Sequence, residues 1–131
     1  MILDTSALVA ILRGETEMQE FLQLISESDN VQLSAANYLE TAIVVDGSRD
    51  PALSRKLDEL LAEALVTLQP VTEAQVRTAR EAYRDFGKGS GHPAKLNFGD
   101  CFAYALAKTV GEPLLFKGND FSRTDVKVAR P

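Results

Sequence analysis

The chain has one cysteine and one histidine in 131 residues. A lone thiol, Cys101, cannot close an internal disulfide, so a disulfide-stapled fold is excluded and a reducing compartment is expected. With His92 alone and Cys101 without a second cysteine, imidazole and thiolate metal sites have little support. Cys101 is expected to be a small buried residue and not a nucleophile. A long hydrophobic run is also missing. No window reaches the roughly 18 apolar residues of a membrane span, so no membrane role is expected. The opening MILDTSALVAILRGE carries Asp4 inside its apolar run with no basic residues before it, unlike a secretory signal. Basic charge is scarce as well: 14 Lys and Arg stand against 19 Asp and Glu, a net of −5. Taken alone, that disfavours nucleic acid as a partner. A phosphate-cradling glycine loop is absent too, because GKGSG at 87–91 follows a helix pattern where a strand is required.

The residues that are present fit one globular domain over 1–131. Hydrophobic residues make up 45% and charged ones 25%, enough for a core and too apolar for a disordered chain. Short apolar runs read as strands: MIL at the start, VQLS, VTLQPV and EPLLF, with KVA near the end as a short edge candidate. Between them lie helical patterns. DTSALVAILRG takes Thr5 or Ser6 as its cap and Gly14 as its stop. TEMQEFLQLISES and AANYLETAIVVDG follow. DPALSRKLDELLAEAL starts on Asp50 with Pro51 at its first position, and TEAQVRTAREAYRDFG starts on Thr72 and stops at Gly87. The last helix lies in LNFGDCFAYALAK and runs to Gly111. Strands alternating with helices predict an α/β fold with a mainly parallel sheet covered on both faces. The Gly-, Pro- and Lys-rich loop over 87–97 is expected to be the most flexible internal segment.

Ligands of parallel sheets gather beyond the carboxyl ends of the strands, and four acids map toward that edge. Asp4 closes the first strand. Glu40 lies early in the helix after the second. Asp120 follows the fourth in LLFKGNDF, with Asp125 as a nearby competitor. Asp100 opens the last helix and reaches the same edge only if the preceding segment crosses the sheet, a task the spacing assigns to the 87–97 loop. Each acid also has an ordinary reading: Asp100 as a helix-dipole partner, Asp120 as a turn residue, Asp4 as a cap, and Glu40 as the rim of an apolar stripe. Clustered carboxylates repel one another, and a hard divalent cation such as Mg²⁺, with its preference for oxygen ligands, removes that conflict.

Charge is unevenly spread. Residues 1–87 hold 7 Lys and Arg against 15 Asp and Glu, whereas residues 88–131 hold 7 against 4. Lys88, Lys95 and Lys117 of this second part belong either to a local basic surface or to an ordinary solvated face.

In these segments the chain resembles the PIN-domain ribonucleases, specifically the VapC-type toxins of toxin–antitoxin pairs. MILDTSALVAIL, SAANYLETAIVV, LNFGDCFAYALAK and PLLFKGNDF carry the likeness, in order and across the whole chain. The resemblance implies a PIN-like three-layer α/β/α sandwich with a short central sheet. It implies Asp4, Glu40, Asp100 and Asp120 as catalytic, metal-binding acids, with Mg²⁺ or Mn²⁺ as cofactor. It makes Ser6 a hydroxyl that helps hold the site, and Asn97 and Asn119 neighbours for substrate or water. It further implies cleavage of RNA by an activated water, a cytoplasmic homodimer, and a cognate VapB-type antitoxin, with a hetero-oligomer formed between them. Two other classes compete. A Mg²⁺-binding phosphoacceptor signalling domain requires adjacent acids after the first strand and an Asp ending the third, and neither TLQPVT nor the lone Asp4 supplies them. A non-catalytic partner-binding protein is separated from both by whether the purified chain cleaves RNA.

Overall fold

Residues 1–130 are described by a computed structural model, and Pro131 lies outside the described residues. The order is β1 (Ile2–Leu3), α1 (Thr5–Leu12), α2 (Met18–Ser26), β2 (Gln32–Ser34), α3 (Ala35–Gly47), α4 (Pro51–Glu63), β3 (Thr67–Gln69), α5 (Glu73–Phe86), α6 (Phe98–Val110) and β4 (Leu114–Leu115), then a 3-10 turn at Phe121–Arg123. The four strands form one parallel sheet in the order β3-β2-β1-β4.

The sheet is short and buried, so each strand residue takes a side. Leu3, Leu33 and Leu115 face a core built with α1, α2 and α4. Ile2 and Leu114, one residue out of phase, face a second core built with α5 and α6. This two-residue alternation, with both faces apolar, is why the strands read as continuous hydrophobic runs. All five side chains are fully buried, and each contributes about 1.5–3 kcal/mol of transfer free energy. Helix α3 touches α1 and α4 on one side and α6 on the other, which brings it to both layers.

Most helix starts fall where their caps predict. Asp50 accepts from Ala52 N at 3.0 Å ahead of Pro51, and Thr72 Oγ1 accepts from Gln75 N at 3.2 Å. Three expectations are corrected. Asp4, and neither Thr5 nor Ser6, caps α1; Thr5 is already helical, with its hydroxyl turned to Glu40. The 87–97 loop does not carry the chain across the sheet. Gly87 and Leu96 form a β-bridge, with Lys88 N on Leu96 O at 2.8 Å and Leu96 N on Phe86 O at 2.9 Å. A loop whose ends meet has no net span, so the displacement falls to the segment before it. The same bridge ties the ends of the loop together, and Ala94 and Leu96 are fully buried. KVA is a single bridge, Val128 to Leu114, and not a fifth strand.

Candidate active site

Strand β1 is the strand at which the sheet order turns: β2 and β3 lie to one side, β4 to the other. The crevice beyond the carboxyl ends of β1 and β4 is therefore the expected ligand site. Asp4 stands at its floor, its N–H on Leu115 O at 3.0 Å, and is only 3% exposed. Its Oδ2 accepts from Ser6 N at 2.9 Å and Ser6 Oγ at 2.6 Å. The Ser6 oxygen in turn accepts from Lys117 N at 3.0 Å, tying the loop after β4 to β1. Asp4 Oδ1 is buried and has no partner among the described residues.

Glu40 reaches the crevice from α3. Its Oε1 accepts from Thr5 Oγ1 at 2.5 Å and from Asn37 Nδ2 at 3.1 Å. Thr41 Oγ1 backs this pair, 2.7 Å from Asn37 O and 3.1 Å from Thr5 Oγ1. Oε2 faces Gly99, and a Cβ built on that glycine would come within 1.9 Å of it. Asp100 is the third helical residue of α6 and shares a capping box with Asn97. Its Oδ2 accepts from Asn97 N at 3.0 Å, and Asn97 Oδ1 accepts from Asp100 N at 2.9 Å.

A common pattern joins the three acids. Each gives one oxygen to protein donors: Asp4 Oδ2, Glu40 Oε1 and Asp100 Oδ2. The second oxygen of each has no protein donor among the described residues. The environment disfavours the charge of two of them, Asp4 and Asp100. Burial pushes the Asp4 carboxyl up to about 7, against the two Ser6 hydrogen bonds and with added repulsion from Asp100 and Glu40. Burial likewise lifts Asp100 to about 6, opposed by the Asn97 N–H and reinforced by Asp120 and Glu40. The four acids thus act on one another across one sheet edge. Among the described residues, no three of them are already set to enclose an ion. Mutual repulsion keeps carboxylates apart until a cation offsets it. The all-oxygen donor set and the orphaned Asp4 Oδ1 suit a hard divalent ion.

These shifts have a stability consequence with a definite sign. Unfolded Asp4 ionises near its ordinary 3.8, but folded Asp4 holds its proton to about 7. Between those values the folded state binds more protons, so stability falls as pH rises through the window. In EDTA, the thermal midpoint of the wild type minus that of Asp4→Asn is expected to decrease from about pH 4 to about pH 7. A difference that stays constant or grows over that window would remove burial as the cause.

Other expected site residues sort differently. Asp120 is exposed, with its side chain unpaired among the described residues, and its charge bears on Asp100. Asp125 is excluded from the site: it accepts from Tyr104 Oη at 2.6 Å and pairs with Lys108 at 3.1 Å. Asn97 is the cap of α6, and Asn119 lies exposed in the loop, accepting from Ser122 Oγ through its carbonyl. Lys117 Nζ pairs with Glu15 at 3.1 Å and Glu17 at 3.4 Å, so its charge is already engaged. Lys88 and Lys95 are exposed and carry no salt bridge among the described residues. Cys101 is buried, and burial pushes its thiol up to about 11, which leaves no thiolate nucleophile.

Thr5, Asn37, Thr41 and Gly99 are site residues that the sequence reading missed. Two signals pointed to them. Asn37 lies three residues before Glu40 and four before Thr41, a helical spacing of polar residues in a helix otherwise read as apolar. Gly99, a poor helix former, sits in the first turn of α6 beside the acid.

Comparison with known proteins gives the family of the chain. The PIN domain family matches residues 1–127. Ribonuclease VapC28 of Mycobacterium tuberculosis is 57% identical over 98% of this chain and 97% of its own length. Among solved structures, the fold matches Mycobacterium tuberculosis VapC20, described as a sarcin-ricin loop cleaving toxin. That match has a TM-score of 0.78 at 19% identity, covering 99% of this chain and 98% of the other. It also matches VapBC2 from Rickettsia felis, solved bound to a promoter DNA fragment, with a TM-score of 0.74 at 14% identity over 97% and 94%. The crevice of carboxylates therefore sits on a chain that belongs to the PIN-domain family, in its VapC branch.

Proposed function

We propose that this chain is a divalent-metal-dependent endoribonuclease, the toxin of a toxin–antitoxin pair, folded as one PIN-like domain over residues 1–131. The observation that carries the reading is the shared pattern of Asp4, Glu40 and Asp100: one oxygen fixed by the protein, the other unpaired at the strand-end crevice. VapC28, a relative 57% identical, is named a ribonuclease, which supports RNA as the substrate.

Asp4, Glu40 and Asp100 would hold Mg²⁺ or Mn²⁺, with Asp120 contributing from the exposed loop. A cation there supplies Lewis-acid chemistry, activating water and offsetting charge on a phosphoryl oxygen. The chain's own residues prepare the site. Ser6 orients Asp4, and Thr5 and Asn37 orient Glu40. The Asn97 capping box aims Asp100 from the rigid start of α6. Lys88 and Lys95, free of ion pairs among the described residues, are placed to meet RNA phosphates and give a salt-dependent affinity. Lys117 instead clamps the loop after β4 to the segment between α1 and α2.

Partner surfaces are also present. Helix α3 turns two large apolar residues outward, with Leu39 58% and Ile43 62% exposed. An apolar groove of about 530 Å³ lies between α5 and α6, lined by Val76, Tyr83, Phe98 and Phe102 among others. A ridge and a groove on one chain suit a homodimer. A VapB-type antitoxin is the second partner, a reading supported by the VapBC2 assembly. No helix of the described residues is long and apolar enough to cross a membrane, in keeping with a proposed cytoplasmic site of action. The phosphoacceptor alternative has no support, since β3 ends on Gln69 and is followed by Pro70.

The test is cleavage of cellular RNA by the purified chain, mapped by end sequencing. Cleavage is expected to stop in EDTA, return with Mg²⁺ or Mn²⁺, and be absent in Asp100→Asn. Undiminished cleavage in EDTA would sink the metal mechanism.

A further inference from the structure

Asn37 is fully buried, whereas Leu39 and Ile43 of the same helix are exposed. Helix α3 therefore buries an amide on the same face as Val45 while two large apolar side chains stay outside, and the buried amide requires a reason. Both of its N–H groups are used, at 3.1 Å to Glu40 Oε1 and 3.0 Å to Gly99 O. Both partners are acceptors only, which fixes the amide orientation. That orientation leaves Asn37 Oδ1 buried with no partner among the described residues. An apolar residue of the same shape would avoid the orphaned oxygen, so stability alone does not account for the asparagine.

We propose that Asn37 is a positioning residue that holds Glu40 in its metal-facing pose and sets the spacing between Glu40 and Asp100. The inference rests on the reading of Glu40 as a metal ligand. One N–H holds Glu40 Oε1, so that Oε2 lies over the bare Cα of Gly99. The other grips the carbonyl of Gly99, the residue before Asp100, and locks the first turn of α6 to α3. Thr5 supports the same Oε1 from α1. One side chain thus joins two ligands that lie far apart in sequence. Groups that orient metal ligands typically change metal affinity by roughly 10–100-fold when removed.

The test measures Mn²⁺ affinity by electron paramagnetic resonance on RNA-free protein, together with the thermal midpoint and the Mn²⁺ dependence of cleavage. Asn37→Leu keeps the branching of the side chain, at a larger volume, and removes both hydrogen bonds. It is expected to remain folded in EDTA, weaken Mn²⁺ binding roughly 10–100-fold, and shift the Mn²⁺ activation curve to higher concentration with KM for RNA little changed. Asn37→Ser, with a single shorter donor, should fall between Asn37→Leu and the wild type, and it serves alone if Asn37→Leu fails to fold. Wild-type Mn²⁺ affinity in either folded variant overturns the inference, as does a loss that merely tracks unfolding. Glu40→Gln separates the two readings. If it weakens Mn²⁺ binding while the Asn37 variants do not, only the role of Asn37 falls. If Glu40→Gln binds Mn²⁺ normally, the ligand reading falls and takes the inference with it.

Discussion

Asp4→Asn, Glu40→Gln and Asp100→Asn are each expected to lower RNA cleavage by about a hundred- to ten-thousandfold without unfolding the chain. That range corresponds to the several kcal/mol a catalytic cation supplies. The separation of activity from stability follows from the site itself. Asp4 and Asp100 are held well above their ordinary carboxyl values, chiefly by burial, so their charge opposes folding at neutral pH. Asparagine removes that charge and still caps a helix well, so Asp4 can be replaced at the start of α1 without losing the cap. The midpoint of Asp4→Asn in EDTA at neutral pH should equal or exceed that of the wild type. Asp120→Asn is expected to cost less, because Asp120 is exposed and its side chain has no partner among the described residues. Asp46→Asn, exposed near the end of α3, is the surface control. Cleavage rate and midpoint, measured for all five in one buffer with excess Mg²⁺, decide the matter. Equal damage from Asp46→Asn and Asp100→Asn would defeat the assignment, and so would inactive variants that are simply unfolded.

The second large effect is expected at a residue with no functional group. Gly99→Ala should cut cleavage about ten- to a hundredfold, in the range seen when the support of a metal ligand is disturbed. The added Cβ would lie 1.9 Å from Glu40 Oε2 and 2.7 Å from Oε1, so the carboxylate must leave its slot. Gly99 sits in a helix without a left-handed φ. Alanine fits the backbone there, and its helix propensity is better by about 0.8–1 kcal/mol. Little or no fall in thermal midpoint should accompany the loss of activity. Gly47→Ala, where a Cβ meets nothing within 4 Å, gives the matched control. If Gly99→Ala cleaves RNA at the wild-type rate, Glu40 does not act from this slot.

The amino-acid sequence alone determined the alternation of strands and helices, because both are written locally. Asp50 with Pro51, Thr72, and the two-sided apolar runs MIL and PLLF act within a few residues of themselves. It also placed Asp4 at the end of β1, since a strand fixes where its next residue emerges, and Asp120 in the loop after β4. What it could not decide was set by contacts between distant segments. Asp125 and Asp120 look interchangeable in the sequence, and only the pairing of Asp125 with Tyr104 and Lys108 removes it from the site. Lys117 reads as a free cation until Glu15 and Glu17 arrive from a loop about a hundred residues earlier. The apolar residues of α3 were read as its core side. The structure turns Leu39 and Ile43 outward and buries Asn37 and Thr41, because these two meet Gly99, Thr5 and Glu40 across the interior. Helical periodicity shows that a helix has two faces. Which face is buried depends on hydrogen-bond partners that only the packed fold brings within reach.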